Sequence, residues 1–127
     1  MKTVYDFSGK FEDNFPGQIV IKTIDDLPAA EIISDRILIS SIQDALDLMV
    51  ICGEHGAGHI ILHKKNLNEN FFDLKTGLAG EILQKFVNYN VKLTVIGDFS
   101  HYKSTALQDF IRESNRLGRL SFSSDKP

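Results

Sequence analysis

Two near-continuous apolar runs, HIILHK at 59–64 and VKLTVIGDF at 91–99, flank a stretch with helical spacing. No other feature constrains the fold as tightly. A strand that is apolar along most of its length belongs inside a sheet. Two such strands joined through a helix pair in parallel by a right-handed crossover. The intervening stretch, FFDLKTGLAGEILQKFVNYN at 71–90, reads as the longest helix of the chain. Leu78, Ile82, Phe86 and Tyr89 recur at intervals of three and four, and Leu83 and Val87 widen the stripe.

The flanking segments extend the same alternation. QIVIKTID at 18–25 is β-branched and alternating, hence a strand. Asp25-Asp26-Leu27-Pro28 is a turn, since the proline keeps Leu27 out of the α region. AEIIS at 30–34 returns as its antiparallel partner. ILISSIQDALDLMVICGEHG at 37–56 begins apolar and becomes helical. Ser41 with Asp44 makes a capping box, Ile42, Ala45, Leu46, Met49 and Val50 share a face, and Gly53 or Gly56 closes the helix. Ser104 caps a further helix that carries Leu107, Phe110, Ile111 and Ser114 on one face and stops at Gly118. RLSFSS at 119–124 has room for a last strand. The order β-β-α-β-α-β-α-β predicts an α/β fold, a single domain over 18–127 with a mixed, mainly parallel sheet. Residues 1–17 read as an irregular arm with room for a short strand. Its aromatics, Tyr5, Phe7, Phe11 and Phe15, would lie on the domain or on a partner chain, so a homodimer through the arm is one expectation.

Bulk properties exclude several classes. A chain of 127 residues supports one real core. The net charge of -3, with Lys and Arg dispersed along the chain, offers no basic field for nucleic acid or an anionic membrane surface. No apolar run approaches the roughly 20 residues that span a bilayer. The N-terminal MKTVYDFSGKFEDNF has acidic residues and no apolar h-region, unlike a secretory signal. The single Cys52 fits a reducing compartment and a structural thiol, and the expected location is the cytoplasm.

The runs FFDLKTGLAGEILQKFVNY, VKLTVIGDFS and LQDFIRESN, together with ISSIQDALDLM, resemble the signature of the bacterial domain of unknown function 4180 family over roughly residues 30–118. That resemblance implies no particular activity. The order of elements is also similar to that of STAS domains, the sulfate-transporter and anti-sigma-factor-antagonist fold, where an Asp-Ser-Ser-Gly-Leu-Gly-like turn opens a helix and its second Ser can be phosphorylated. The matching stretch here is Asp73 to Gly80, which implies Thr76 at the phospho-acceptor position and Gly77-Leu78 as the Gly-Leu pair. Leu74 and Lys75 replace small residues there, and Gly80 falls one position late.

In an open α/β sheet, ligands bind outside the carboxyl ends of the strands where strand order switches. Ser40-Ser41, the Asn66-to-Thr76 turn, and Gly97 to His101 would gather there. The candidate binding residues are Asp73, Lys75, Thr76, Gly77, Asp98, Ser100 and His101. An anion could use free N–H groups at the long helix, with Lys75 as counter-charge and Gly77 permitting close approach. The competing account makes Asp73 and Thr76 capping residues and Gly97-Asp98 a turn. Adjacent loop residues do not form a triad, so no residue is assigned a catalytic role. His59 and His63 bracket a strand about 13 Å apart, too far to share an ion, so no metal is expected. GEHGAGH lacks the Lys-Ser/Thr of a phosphate loop, and no cofactor is expected. The leading expectation is a non-enzymatic regulatory or protein-binding module with a switch at Thr76. The alternative is a small-molecule or anion site, with or without catalysis, at the strand carboxyl ends.

Overall fold

A tight hairpin sets the register of one side of the sheet. β2 (Gln18–Ile24) and β3 (Leu27–Ile33) run antiparallel around Asp25 and Asp26, whose φ values are 52° and 65°. Two positive φ angles make the mirror-image turn whose twist matches that of the strands, and Asp tolerates them. The strand therefore resumes at Leu27, earlier than the predicted 30–34. Pro28 sits inside it opposite Thr23, ahead of the first pairing with the next strand at Ala29. Its missing N–H is harmless there.

The computed structural model describes residues 3–6 and 17–125, the first four by backbone alone. The remaining elements are α1 (Ile42–Glu54), β4 (His59–His63), α2 (Leu78–Asn88), β5 (Lys92–Ile96), α3 (Thr105–Leu117) and β6 (Leu120–Ser123). β1 (Thr3–Asp6), the short strand the arm had room for, pairs antiparallel with β2 and adds a sixth strand at the edge. The rest of the arm, including Phe7, Phe11 and Phe15 and the dimer reading placed on them, lies outside the described residues. β3, β4, β5 and β6 pair in parallel, so the sheet is mixed and mainly parallel, as expected.

The strands lie side by side in chain order, from β1 to β6. Successive right-handed crossovers that always advance in one direction put every helix on one face. The core agrees: Ala45, Leu48, Met49 and Cys52 of α1, Ala79, Ile82 and Phe86 of α2, and Leu107 and Ile111 of α3 pack on Ile32, Ile60, Leu62, Leu93, Val95 and Phe122. The other face carries a separate small cluster of Ala29, Ile61 and Ile96, with Ile24, and no described helix joins it. The parallel strands never reverse their order, so the switch-point crevice expected from the sequence does not exist.

The helix predicted over 71–90 occupies only the part from Leu78 onward, where its apolar spacing begins. Residues Glu69–Phe72 and Leu74–Thr76 are 3-10 turns, and α2 begins only at Leu78, leaving 11 residues against 13 in α1 and in α3. Local side-chain bonds explain the break: Asp73 accepts from the Lys75 N–H, and Gly77 adopts φ 77°. The end is as expected for an Asn stop, with Asn90 at φ 55° and the Val91 N–H returning to the Phe86 carbonyl at 2.9 Å. Two helix faces are rotated from the predicted ones. Tyr89 and Val50 are each 61% exposed, whereas Leu48 and Cys52 are buried. Caps at Ser41, Ser104 and Gly118 are where the sequence puts them; Ser41 accepts from the Asp44 N–H and Ser104 from the Leu107 N–H. Asn115 of α3 reaches β6 and accepts the Phe122 N–H at 2.7 Å, a donor that the ladder to β5 leaves unused.

Candidate functional site

Asn66 builds the floor at the carboxyl end of the sheet. Its side chain is fully buried and saturated. The amide donates to the Ser34 and Arg36 carbonyls at 2.9 and 2.8 Å and accepts the His63 N–H at 3.0 Å. Its backbone carbonyl accepts from Leu38 and Ile39. One side chain thus ties the segment leaving β3 to the segment leaving β4, a join continued by the Ile39–Leu67 bridge and the Lys65–Asp35 ion pair at 2.9 Å.

Beside this join lies an open groove of about 620 Å³ lined by Ile37, His63, Lys64, Lys65, Leu67, Glu69 and Ile96. Ile37, Leu67 and Ile96 supply apolar walls, and the rest supply charge or hydrogen bonds. His63 is fixed from beneath, its Nε2 lying 3.0 Å from Oε2 of Glu31, whose other oxygen accepts from Lys22 at 3.2 Å. Glu31 is buried on the helix-free face, so these partners meet the cost of placing a carboxylate there.

Lys64 follows β4 directly. Its Nζ lies 4.9 Å above the Tyr102 ring and 3.3 Å from His101 Nε2, and no described carboxylate forms an ion pair with it. Gly97 makes room for it: a Cβ at that residue would sit 2.7 Å from Lys64 Cβ. Tyr102 stacks on Phe72 with ring centres 5.2 Å apart and donates its hydroxyl to Glu69, 3.0 and 3.2 Å from the two oxygens. Burial first, and then Glu69, pushes the Tyr102 phenol well above its ordinary value, so it stays a donor.

The candidate residues divide into two groups. His101 joins the groove's edge, packed on Tyr102 with ring centres 4.3 Å apart. Asp98 does not line it. The carboxylate takes both the N–H and the hydroxyl of Ser100, at 2.9 and 2.6 Å. Those bonds, more than His101 or Lys64, lower its pKa. Asp98 and Ser100 therefore form a turn. Asp73, Lys75, Thr76 and Gly77 form another, and none of them lines the groove. The Thr76 hydroxyl lies 2.8 Å from both the Asn70 and Asp73 carbonyls and accepts the Leu78 N–H at 3.2 Å, which is a capping role. Sequence reasoning did not single out Lys64, Glu69 or Tyr102, although the Asn66-to-Thr76 turn that it expected at the site contains Glu69. Lys64 had a signal, since it occupies the same place after β4 that Gly97 occupies after β5.

A model of the family described as Domain of unknown function (DUF4180) matches residues 24–127. The chain belongs to the DUF4180 family. Among curated proteins and among solved structures, nothing matches it. In this DUF4180 domain no helix among the described residues is long and apolar enough to cross a membrane. Among the same residues, no group of three or more His, Cys, Asp or Glu is placed to hold a metal ion. His59 lies at the far end of β4 from the groove. Its Nε2 meets the Thr94 hydroxyl at 2.8 Å, which in turn meets Ser121 at 3.0 Å. Burial first, then Lys92 and Lys22, lowers His59 to about 4. Cys52 is buried in α1, and burial pushes its thiol up to about 12, the behaviour of a structural thiol.

Proposed function

We propose that this domain binds a small organic anion in the groove at the carboxyl ends of β4 and β5. The observation that carries the reading is Lys64, a cation on the groove wall that forms no ion pair with a described carboxylate. Its Nζ already rests over the Tyr102 ring and beside His101 Nε2, so little side-chain freedom is lost when an anion arrives. Apolar walls from Ile37, Leu67 and Ile96 favour an anion with a carbon body over a bare ion. A charge-assisted contact of this kind contributes about 1.5–3 kcal/mol. Titrating small carboxylates and inorganic phosphate into labelled protein should shift the amides of residues 63–69 and 96–102. Lys64→Gln should weaken the binding about tenfold or more. Shifts confined to other surfaces, or affinity unchanged in Lys64→Gln, reject the reading.

A second reading, a cytoplasmic protein-binding module with a STAS-like order of elements, draws on another surface. Leu46, Met49, Val50 and Tyr89 line a small apolar groove of about 160 Å³ on α1 and near the end of α2. Thr76 is exposed just ahead of α2, where a phosphate would meet the helix's first free N–H groups. Thr76→Glu should then change the set of proteins captured by the folded domain. An unchanged set rejects the switch.

A further inference from the structure

We infer that the groove takes a zwitterion, a free amino acid with an aliphatic side chain. The inference rests on the anion reading and names the ligand class. Lys64 and Glu69 line the same groove, yet neither forms an ion pair with a described residue. Tyr102 keeps them apart, its ring beneath Lys64 Nζ and its hydroxyl donated to the Glu69 carboxylate. Glu69 is thus hydrogen-bonded by a neutral donor, and its charge is not cancelled. Lys65, the other lysine of the lining, is already paired with Asp35.

The charge pattern selects among ligand classes. A phosphate dianion would gain Lys64 and be repelled by Glu69. A simple amine would gain Glu69 and be repelled by Lys64. A molecule with one carboxylate and one ammonium on a short carbon frame satisfies both groups at once. Ile37, 55% exposed, gives the groove its open apolar surface over the buried Leu67 and Ile96, and the two other polar side chains of the lining, His63 and Lys65, are already paired with Glu31 and Asp35. An aliphatic side chain laid on Ile37 covers apolar surface that otherwise faces water.

The test uses the whole chain and three probes of matched shape: leucine, isocaproate (which lacks the ammonium) and isoamylamine (which lacks the carboxylate). Calorimetric or chemical-shift titrations at fixed ionic strength should show leucine binding about tenfold or more tighter than either half-probe. Glu69→Gln keeps an acceptor for Tyr102 while removing the charge. It should bring leucine and isocaproate to the same level, with isocaproate tightened as its repulsion by Glu69 is relieved, whereas Lys64→Gln should weaken both. If isocaproate binds as tightly as leucine, the zwitterion inference falls and the organic-anion reading stands. If phosphate binds better than both, the zwitterion inference falls and so does the preference for an anion with a carbon body. If no anionic probe moves a groove residue, both fall together.

Discussion

Asn66→Ala removes the amide that joins the segments leaving β3 and β4, and its cost can be worked from the hydrogen bonds. The fully buried side chain makes three, two donated to the Ser34 and Arg36 carbonyls and one accepted from the His63 N–H. A net contribution of about 0.5–1.5 kcal/mol for each gives roughly 3 kcal/mol. The Ser34 contact is buried, so the loss should lie in the upper half of that range. Against a total stability of about 5–15 kcal/mol, the change is large but the variant still folds. Urea unfolding followed by circular dichroism should show a lower midpoint with an unchanged slope. Asn66→Asp sharpens the test. It sets an oxygen against the two carbonyls that now receive the amide, so burial and that repulsion would raise the carboxyl's folded pKa above the unfolded value near 3.9. Stability of this variant is then retained at low pH and lost as pH rises through the folded value, while the Ala variant's deficit stays constant. A loss below about 1 kcal/mol in Asn66→Ala, or a deficit in Asn66→Asp that does not grow with pH, refutes the role given to this side chain.

Two further predictions concern the groove and the far end of β4. Gly97→Ala sets a carbon 2.7 Å from Lys64 Cβ, so it should cost about 1–3 kcal/mol and weaken anion binding as Lys64 is displaced; wild-type stability and affinity together would show that the approach is not tight. His59 titrates at about 4 in the fold and near 6.5 when unfolded, so the unfolded state binds the additional proton between those values and stability falls as pH drops through that window. His59→Gln should flatten that part of the stability profile, and an imidazole titration by NMR centred near the ordinary value would overturn the assignment.

The parts of the fold that were legible depended on local chemistry. Ser41, Ser104 and Gly118 mark helix ends because a hydroxyl or a left-handed glycine acts within four residues of itself. The β4 and β5 strands announce themselves by uninterrupted apolar character. α1 was placed correctly but turned wrongly, since IQDALDLMVICGE is apolar around much of its circumference and spacing cannot choose between Val50 and Leu48. The helix predicted at 71–90 was too long because Asp73 to Gly77, which form a separate 3-10 turn, read as its first turn. The groove was the least legible part. Lys64, Glu69 and Tyr102 meet across separations of up to 38 residues, and only the side-by-side order of β4 and β5 brings them together. Glu31 did leave a trace, as a lone carboxylate in the apolar run AEII, but its partners Lys22 and His63 come from two other strands.

Asn115 bears on how this molecule behaves among copies of itself. β6 is the last strand of the sheet, and an open strand edge is a template on which a neighbouring chain can extend the ladder. By filling the outward Phe122 N–H, the asparagine denies an incoming strand one of the contacts that would register it. The safeguard is built from α3, so it is in place only once that helix has docked. A chain whose α3 has come loose presents a bare edge and Phe122 together, and that partly undone form is the one that would seed aggregation.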